Sequence, residues 1–404
     1  MLKTTEKDVY LTKLWTLAKL FLRLGCLGFG GPQAHIAMAN DEVVERRQWL
    51  SQDQFTDGLA VCEMLPGPAS TQMGIYIGYA HAGWLGALVA GISFIAPAFV
   101  IVVTLAWVYF RFAQLPQLTA LFFGLQPVMI AIILGFCWKL GRKAIKDWVG
   151  VVLALLALAL SALTSLSTLL MFIIFGFVGL LFYGRKNNTG TGLSSLIASV
   201  SVAQSDAVLS QASFWGTERF SQYLDTLFFY FLKTGVSIFG GGLVIIPLLE
   251  FEVVERFNWL TTSEFIDGVA IGQLSPGPVV LTSAFVGYKV AGVVGALVSA
   301  VGIFTPSFLF IMLAAPVLLK LRQNPQIQAF LKGVKPAVLG AIAAAAIPLS
   351  RTAFGQANVP LSVMALLVGI AALVAIVRFR VTSWKLILAG ALVGLVGYPL
   401  LGGS

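Results

Sequence analysis

One passage occurs twice in this chain, 210 residues apart, and that repetition constrains the fold more than any single motif. Residues 21–31, FLRLGCLGFGG, return at 231–241 as FLKTGVSIFGG. VVERRQWL (43–50) returns as VVERFNWL (253–260), FTDG (55–58) as FIDG (265–268), and LPGP (65–68) as SPGP (275–278). From Phe21 to Pro68 the copies share 21 of 48 positions without a gap. After one deletion the offset becomes 209, and Gly124…Pro127 matches Gly333…Pro336. What recurs is helix breakers and charges set in apolar sequence. That is the pattern of a secondary transporter built from two repeats with interrupted helices.

Composition agrees. The chain is 58% hydrophobic and 11% charged, against roughly 25% charged residues in a soluble domain. Uncharged runs at 87–110, 118–138, 148–184, 290–319, 352–377 and 386–404 reach the roughly 20 residues a spanning helix needs. The run 148–184 reads as a tight hairpin turning near 164–167. The expected fold is an all-α polytopic membrane protein of two homologous halves, broken at the FGG and PGP motifs. Residues 1–186 form one repeat, 187–221 a Gly/Ser-rich linker, and 222–404 the other.

Loop charges suggest that the halves are inverted. Lys139, Arg142, Lys143 and Lys146 make one loop basic, while its repeat partner around 349–357 carries Arg351 alone. The 164–167 turn is uncharged, yet its partner carries Arg378, Arg380 and Lys385. Basic loops mark the cytoplasmic side, so their exchange between halves implies inverted-topology repeats. The lysines at 3, 7, 13 and 19 pull the other way: they favour a cytoplasmic start, whereas strict inversion sets residue 1 opposite residue 220.

Several function classes drop out. The three cysteines, Cys26, Cys62 and Cys137, have no metal-ligand spacing, and two histidines cannot build a metal site by themselves. No metal or cofactor is expected. No nucleophile–base pair recurs at reactive spacing, so the chain does not read as an enzyme. Without a P-loop or a large soluble domain, transport must draw on an ion gradient or on the gradient of the substrate itself. The net charge of +9 fits basic cytoplasmic loops rather than nucleic-acid binding.

The breaks are the candidate binding elements. Gly30-Gly31-Pro32 and Gly240-Gly241 free backbone groups at the end of an apolar helix. Pro66-Gly67-Pro68 and Pro276-Gly277-Pro278 cannot lie within a regular helix, and each precedes a helix whose first turn exposes N–H donors. Ser70, Thr71, Gln72, Thr282 and Ser283 would add hydroxyl or amide donors. Two such helix starts related by a pseudo-two-fold axis would form one anion pocket. Arg23 and Lys233 repeat inside the first helices and could neutralise the anion, as could Arg46 and Arg256, or they could snorkel to headgroups. Glu45, Trp49, Glu255 and Trp259 read as structural parts of an interfacial turn, with Gly58 and Asp267 as structural neighbours. Glu63 has no acidic counterpart, its partner being Gln273, and with Asp57 it is a candidate proton carrier. His35 and His81 have none in the second copy and read as peripheral.

FGGP (29–32) with its FGGG echo, VVERRQWL, FTDG, LPGP and GYAHAGWLGAL (78–88) together resemble the chromate ion transporter family, in its long two-domain form. The resemblance covers nearly the whole chain, most clearly 10–140 and 220–350. It implies export of chromate across the cytoplasmic membrane, driven by the proton motive force, and chromate resistance. Carried onto this sequence, the family's motif positions are Gly30, Gly31, Pro32, Glu45, Arg46, Trp49, Asp57, Gly58, Pro66, Gly67 and Pro68. Gly242 and Gln273 depart from the pattern in the second copy. The implied partners are chromate, protons and the lipid bilayer. A sulfate or general oxyanion carrier and an anion channel remain open, and a homodimer is the default assembly.

Overall fold

The computed structural model describes residues 6–29, 31–112, 115–164, 166–184, 213–216, 218, 220–239, 241–321, 324–356 and 358–401. Most of the expected linker, together with Gly30 and Gly240, lies outside them. The described residues are helical, without strands.

In the first repeat, α1 (Glu6–Leu27) leads into α2 (Pro32–Asn40) and a π-helical turn (Asp41–Arg46). Then come α3 (Gln52–Met64), α4 (Ala69–Phe112), α5 (Pro116–Ala144), α6 (Trp148–Leu163) and α7 (Thr168–Tyr183). The second repeat follows the same plan: α8 (Phe220–Ser237), α9 (Ile245–Leu249), a π-helical turn (Glu250–Arg256), α10 (Thr262–Leu274), α11 (Thr282–Leu321), α12 (Pro325–Phe354), α13 (Val359–Phe379) and α14 (Ser383–Leu400). Six helices, α4, α5 and α11–α14, are long and apolar enough to cross a membrane. The apolar run 148–184 forms two helices, α6 and α7, with α6 ending at Leu163 and α7 starting at Thr168.

Helices α4 and α11 are each two helices folded back on one another. Ala82 and Gly83 leave helical geometry (Gly83 φ +65°), as do Ala291 and Gly292 (Gly292 φ +55°). A Cβ on Gly78 would strike the Gly86 carbonyl, and one on Gly287 the Gly295 carbonyl. Small residues therefore let the two arms touch backbone to backbone. In lipid, where apolar burial offers no driving force between helices, such contact is what holds helices together.

Equivalent elements make equivalent contacts. Helix α1 packs on α4 as α8 packs on α11. The last two helices of each repeat pack on the other repeat, α13 and α14 on α5, α6 and α7 on α12. Helices α5 and α12 are themselves counterparts and run antiparallel. Gly141 lies beside Leu339, while Thr119 and Gln126 share a cavity with Thr352 and Gln356. A two-fold relation between antiparallel counterparts runs perpendicular to them, hence in the membrane plane, as in inverted repeats. Ile376 packs on Gly135, which brings Arg378, Arg380 and Lys385 to the same end as Lys139 and Arg142. Basic loops from both halves thus gather at one end, as the positive-inside rule requires.

Candidate functional site

The two breaks of each copy meet the breaks of the other. Helix α3 stops at Met64 because Pro66 and Pro68 cannot continue it. Gly67 then adopts φ +130° and donates its N–H to the Ile238 carbonyl at 2.7 Å, at the end of α8. In the reciprocal position His35 Nε2 lies 2.6 Å from the Gly28 carbonyl and 2.8 Å from that of Pro276. The FGG turn of one copy is therefore tied to the PGP loop of the other, twice. The loops also press on the facing long helices: a Cβ on Gly67 would collide with Ser307 Oγ, and one on Gly277 with Ala98 Cβ. Ala98 and Ser307 are counterparts at the offset of 209.

The FGG turns need glycine for the backbone. Gly31 sits at φ +79° and Gly241 at φ +134°. The Gly31 carbonyl accepts from the N–H groups of Ala34 and His35 at 3.1 and 3.3 Å, starting α2 with Pro32 in its first turn. At the PGP loops, Gln72 donates Nε2 to the Pro66 carbonyl at 2.7 Å, Ser275 donates Oγ to Gly272 at 2.8 Å, and Thr282 donates Oγ1 to Val279 at 2.9 Å.

Around these loops lies a group of buried polar atoms without a protein partner among the described residues: His35 Nδ1, Ser70 Oγ, Thr71 Oγ1, Gln72 Oε1, Ser283 Oγ and Ser307 Oγ; the similarly unpaired Ser299 Oγ lies apart, against Gly287 between the arms of α11. Buried hydroxyls are ordinarily hydrogen-bonded, so a concentration of orphans at membrane depth is unusual. Ser70, Thr71, Gln72 and Ser283 were expected at this place as donors; Ser307 was not singled out. His35, expected at the periphery, is 3% exposed and central. With two carbonyls facing Nε2, the proton sits on Nε2, and burial lowers the affinity of the ring for a second one. The signal for His35 was in the chain: it stands four residues after the Gly31 whose carbonyl its own N–H reaches.

The cations occupy a second layer. Arg23 pairs with Glu42 at 3.6 Å; Arg46 reaches Glu42 and Asp41 at 3.1 Å each, and Arg47 reaches Glu42 at 3.2 Å. The second copy repeats this with Lys233 and Arg256 on Glu252, at 3.4 and 2.9 Å. Glu42 and Glu252 are buried, whereas Glu45 and Glu255 are exposed. Sequence reading named the wrong turn of the helix here, since Glu42 precedes Arg46 by the four residues that put two side chains on one face. The left-handed residues Gln48 and Asn258 (φ +53° and +50°) close each π turn, with Trp49 N–H on Val43 and Trp259 N–H on Val253. Trp259 is not an interfacial anchor: it is 2% exposed and stacks on Phe257 at 4.4 Å. Trp49 stacks on His81 at 4.0 Å.

The candidate proton carriers fall apart from the centre. Glu63 and Asp57 are exposed on α3. Asp267, the counterpart of Asp57, is buried and accepts from Tyr109 Oη at 2.8 Å and Gln126 Nε2 at 3.0 Å. Gly58 lies against the Tyr76 ring, as Gly268 does against Phe285.

Two stretches of the chain, residues 15–180 and 226–395, match the chromate transporter family. The chain belongs to that family. It is 34% identical to the chromate transport protein of Cupriavidus metallidurans over 403 residues, 98% of this chain and 97% of that protein. It is 34% identical to a probable chromate transport protein of Synechococcus elongatus, covering 92% of this chain and 90% of that one. A chromate transport protein of Pseudomonas aeruginosa is 31% identical, with 94% and 91% covered. No solved structure matches the chain. The protein is a multi-pass membrane transporter.

Proposed function

We propose that this transporter exports chromate from the cytoplasm across the cytoplasmic membrane, exchanging it for inward-moving protons, and so gives chromate resistance. The observation that carries the reading is the meeting of four chain breaks around orphaned hydroxyls, within a family whose relatives are named for chromate transport. Chromate is a tetrahedral dianion. Hydroxyl and backbone N–H donors at the starts of broken helices suit such an ion, the more so with Arg23, Arg46, Lys233 and Arg256 behind them. Those cations are already neutralised by Glu42 and Glu252, which fits binding that is weak enough for release.

The substrate would be held by Gly31, Pro32, Ser70 and Thr71 with the 66–68 loop on one side, and by Gly241 and Thr282 with the 276–278 loop on the other. Gly30 and Gly240 belong to the same turns. The unequal packing of α3 and α10 favours a carrier over a channel, because a carrier closes one end while the other is open. The test is chromate flux into inside-out vesicles under an imposed pH gradient, with sulfate as competitor. Proton-dependent uptake that sulfate inhibits weakly supports the reading. Equal movement of sulfate replaces it with a general oxyanion carrier, and current without counterflow replaces it with a channel.

A further inference from the structure

A polar cavity of about 390 Å³ lies away from the chain breaks, where both repeats meet at the end opposite the basic loops. Its walls include Tyr109, Gln126, Ser263, Asp267, Thr352 and Gln356. Every one of these offers oxygen or amide groups, and among the described residues no lysine or arginine lines it. Such a lining is foreign to a resident anion. Asp267 is the ionisable centre of the cavity, 3% exposed, and both of its carboxylate oxygens accept from the first repeat: Oδ2 from Tyr109 on α4, Oδ1 from Gln126 on α5. Gln126 also donates to Ser263 Oγ on α10, at 2.8 Å. These bonds tie α10 to the other repeat at this end.

The geometry points to Asp267 as a proton-binding site that releases the gate formed by α10. A charged carboxylate is acceptor only and satisfies both donors. Once Oδ2 carries a proton it becomes a donor and the Tyr109 hydroxyl must turn to accept from it; with the proton on Oδ1, the Gln126 amide loses its partner, so either way one of the two charge-assisted bonds that hold α10 is weakened. Burial disfavours the charged form of any carboxylate, so the two donors are what hold the charge in place. The other titratable or charged groups that face this part of α10 are few. Tyr398 on α14 lines the same cavity, and Glu264, one turn before Asp267, is neutralised by Lys289 of α11 at 2.7 Å. Arg351 on α12 is exposed. Protonation from the outer side would therefore be felt at the Tyr109 and Gln126 bonds and nowhere else in the cavity. If the protein is the proton-coupled exporter proposed above, this is where the incoming proton loads; the gate itself requires only the proton.

The experiment reads the gate without any oxyanion, so its failure is separable from a failure of the transport reading. Thr352→Cys is placed in a background lacking the three native cysteines, in the full chain reconstituted in liposomes, and labelled with a maleimide. All rates are divided by that of an exposed single cysteine elsewhere in the same protein, which cancels the fall in thiolate with pH; in the parent this ratio should rise several-fold as pH falls. Asp267→Asn, which keeps the volume and cannot carry the charge, should label fast at every pH. Tyr109→Phe keeps the carboxylate and loses one donor, so it should label faster than the parent and still respond to pH. A parent whose labelling ignores pH, or an Asp267→Asn variant that keeps the parent's rate and profile, overturns the proposal. Circular dichroism of each variant in detergent separates gate opening from misfolding: lost helicity in Asp267→Asn shifts the decision to Tyr109→Phe, whose unchanged labelling would equally reject it.

Discussion

Helices α3 and α10 are copies of one another in sequence and stand in different surroundings. Both are capped by the same device, Ser51 with Gln54 and Thr261 with Glu264, and both end in Pro-Gly-Pro. Helix α10 packs against α4, α5, α11, α12 and α14, and residues 266–272 are all buried. Helix α3 packs against α4 and α11, and Gln52, Asp53, Gln54, Thr56, Asp57 and Glu63 are exposed. Because the repeats are inverted, the two helices guard opposite ends. Related sequences in two packings, tight at one end and looser at the other, are what alternating access asks of an inverted repeat.

The largest expected effect breaks the part both ends share. Gly67→Val should reduce flux by more than tenfold, because Gly67 combines φ +130° with a Cβ that would meet Ser307 and Gln72. Backbone strain of this kind costs about 1–3 kcal/mol before any collision is added. Gly31→Val carries strain alone, since nothing lies within 4 Å of its Cβ at φ +79°; it should retain more flux at equal expression. Equal loss in both would mean that backbone conformation, not the close approach to the facing helix, sets the requirement.

Much of this comparison was legible in the chain and some was not. The repeat, the glycines and the Pro-Gly-Pro breaks announced themselves because backbone geometry dictates them locally. The buried hydroxyl of Ser307 did not, since a serine in an apolar span looks the same whether it faces lipid or a loop from the other repeat. The exchange of contacts between halves also escaped the sequence: no local pattern says which PGP loop meets which FGG turn. For the same reason the sequence set Asp57 as a proton carrier and Asp267 as structural, whereas the buried, doubly bonded carboxylate is Asp267.

Symmetry makes a sharper test of the tight and looser ends. Gln126, which binds Asp267, corresponds to Lys335, and Asp267 corresponds to Asp57. When α3 packs as tightly as α10, Asp57 should approach Lys335. Reversing one charge, Asp57→Lys, should cut flux about tenfold, and adding Lys335→Asp should recover at least a third of it. Absence of recovery, with each single variant well expressed, would mean that the looser end does not close along the path the repeat symmetry gives.

The paired carboxylates predict a smaller difference. Glu42→Gln and Glu252→Gln each leave cations without their buried partner. Glu42 serves three arginines and Glu252 serves Arg256 and Lys233. Most of those cations are half-exposed, and exposed pairs contribute only about 0–1 kcal/mol each. Flux should fall two- to fivefold, with apparent substrate affinity rising as the cations are freed to meet the anion. A rise in the substrate constant instead would place these arginines in structure alone.

The smallest effect should come from making the copies alike at one point. His35 corresponds to Ile245, and only the first copy bridges Gly28 to Pro276 through a side chain. His35→Ile removes a donor shared by two buried carbonyls, a loss of about 1–3 kcal/mol if no water replaces it. That should lower the thermal midpoint in detergent by several degrees while flux at low temperature falls no more than about twofold. His35→Asn, shorter but still a donor, should recover part of the midpoint. If flux collapses while the midpoint holds, the histidine acts on the passing ion rather than as a tie between the repeats, and the asymmetry between copies would extend from the gates into the centre.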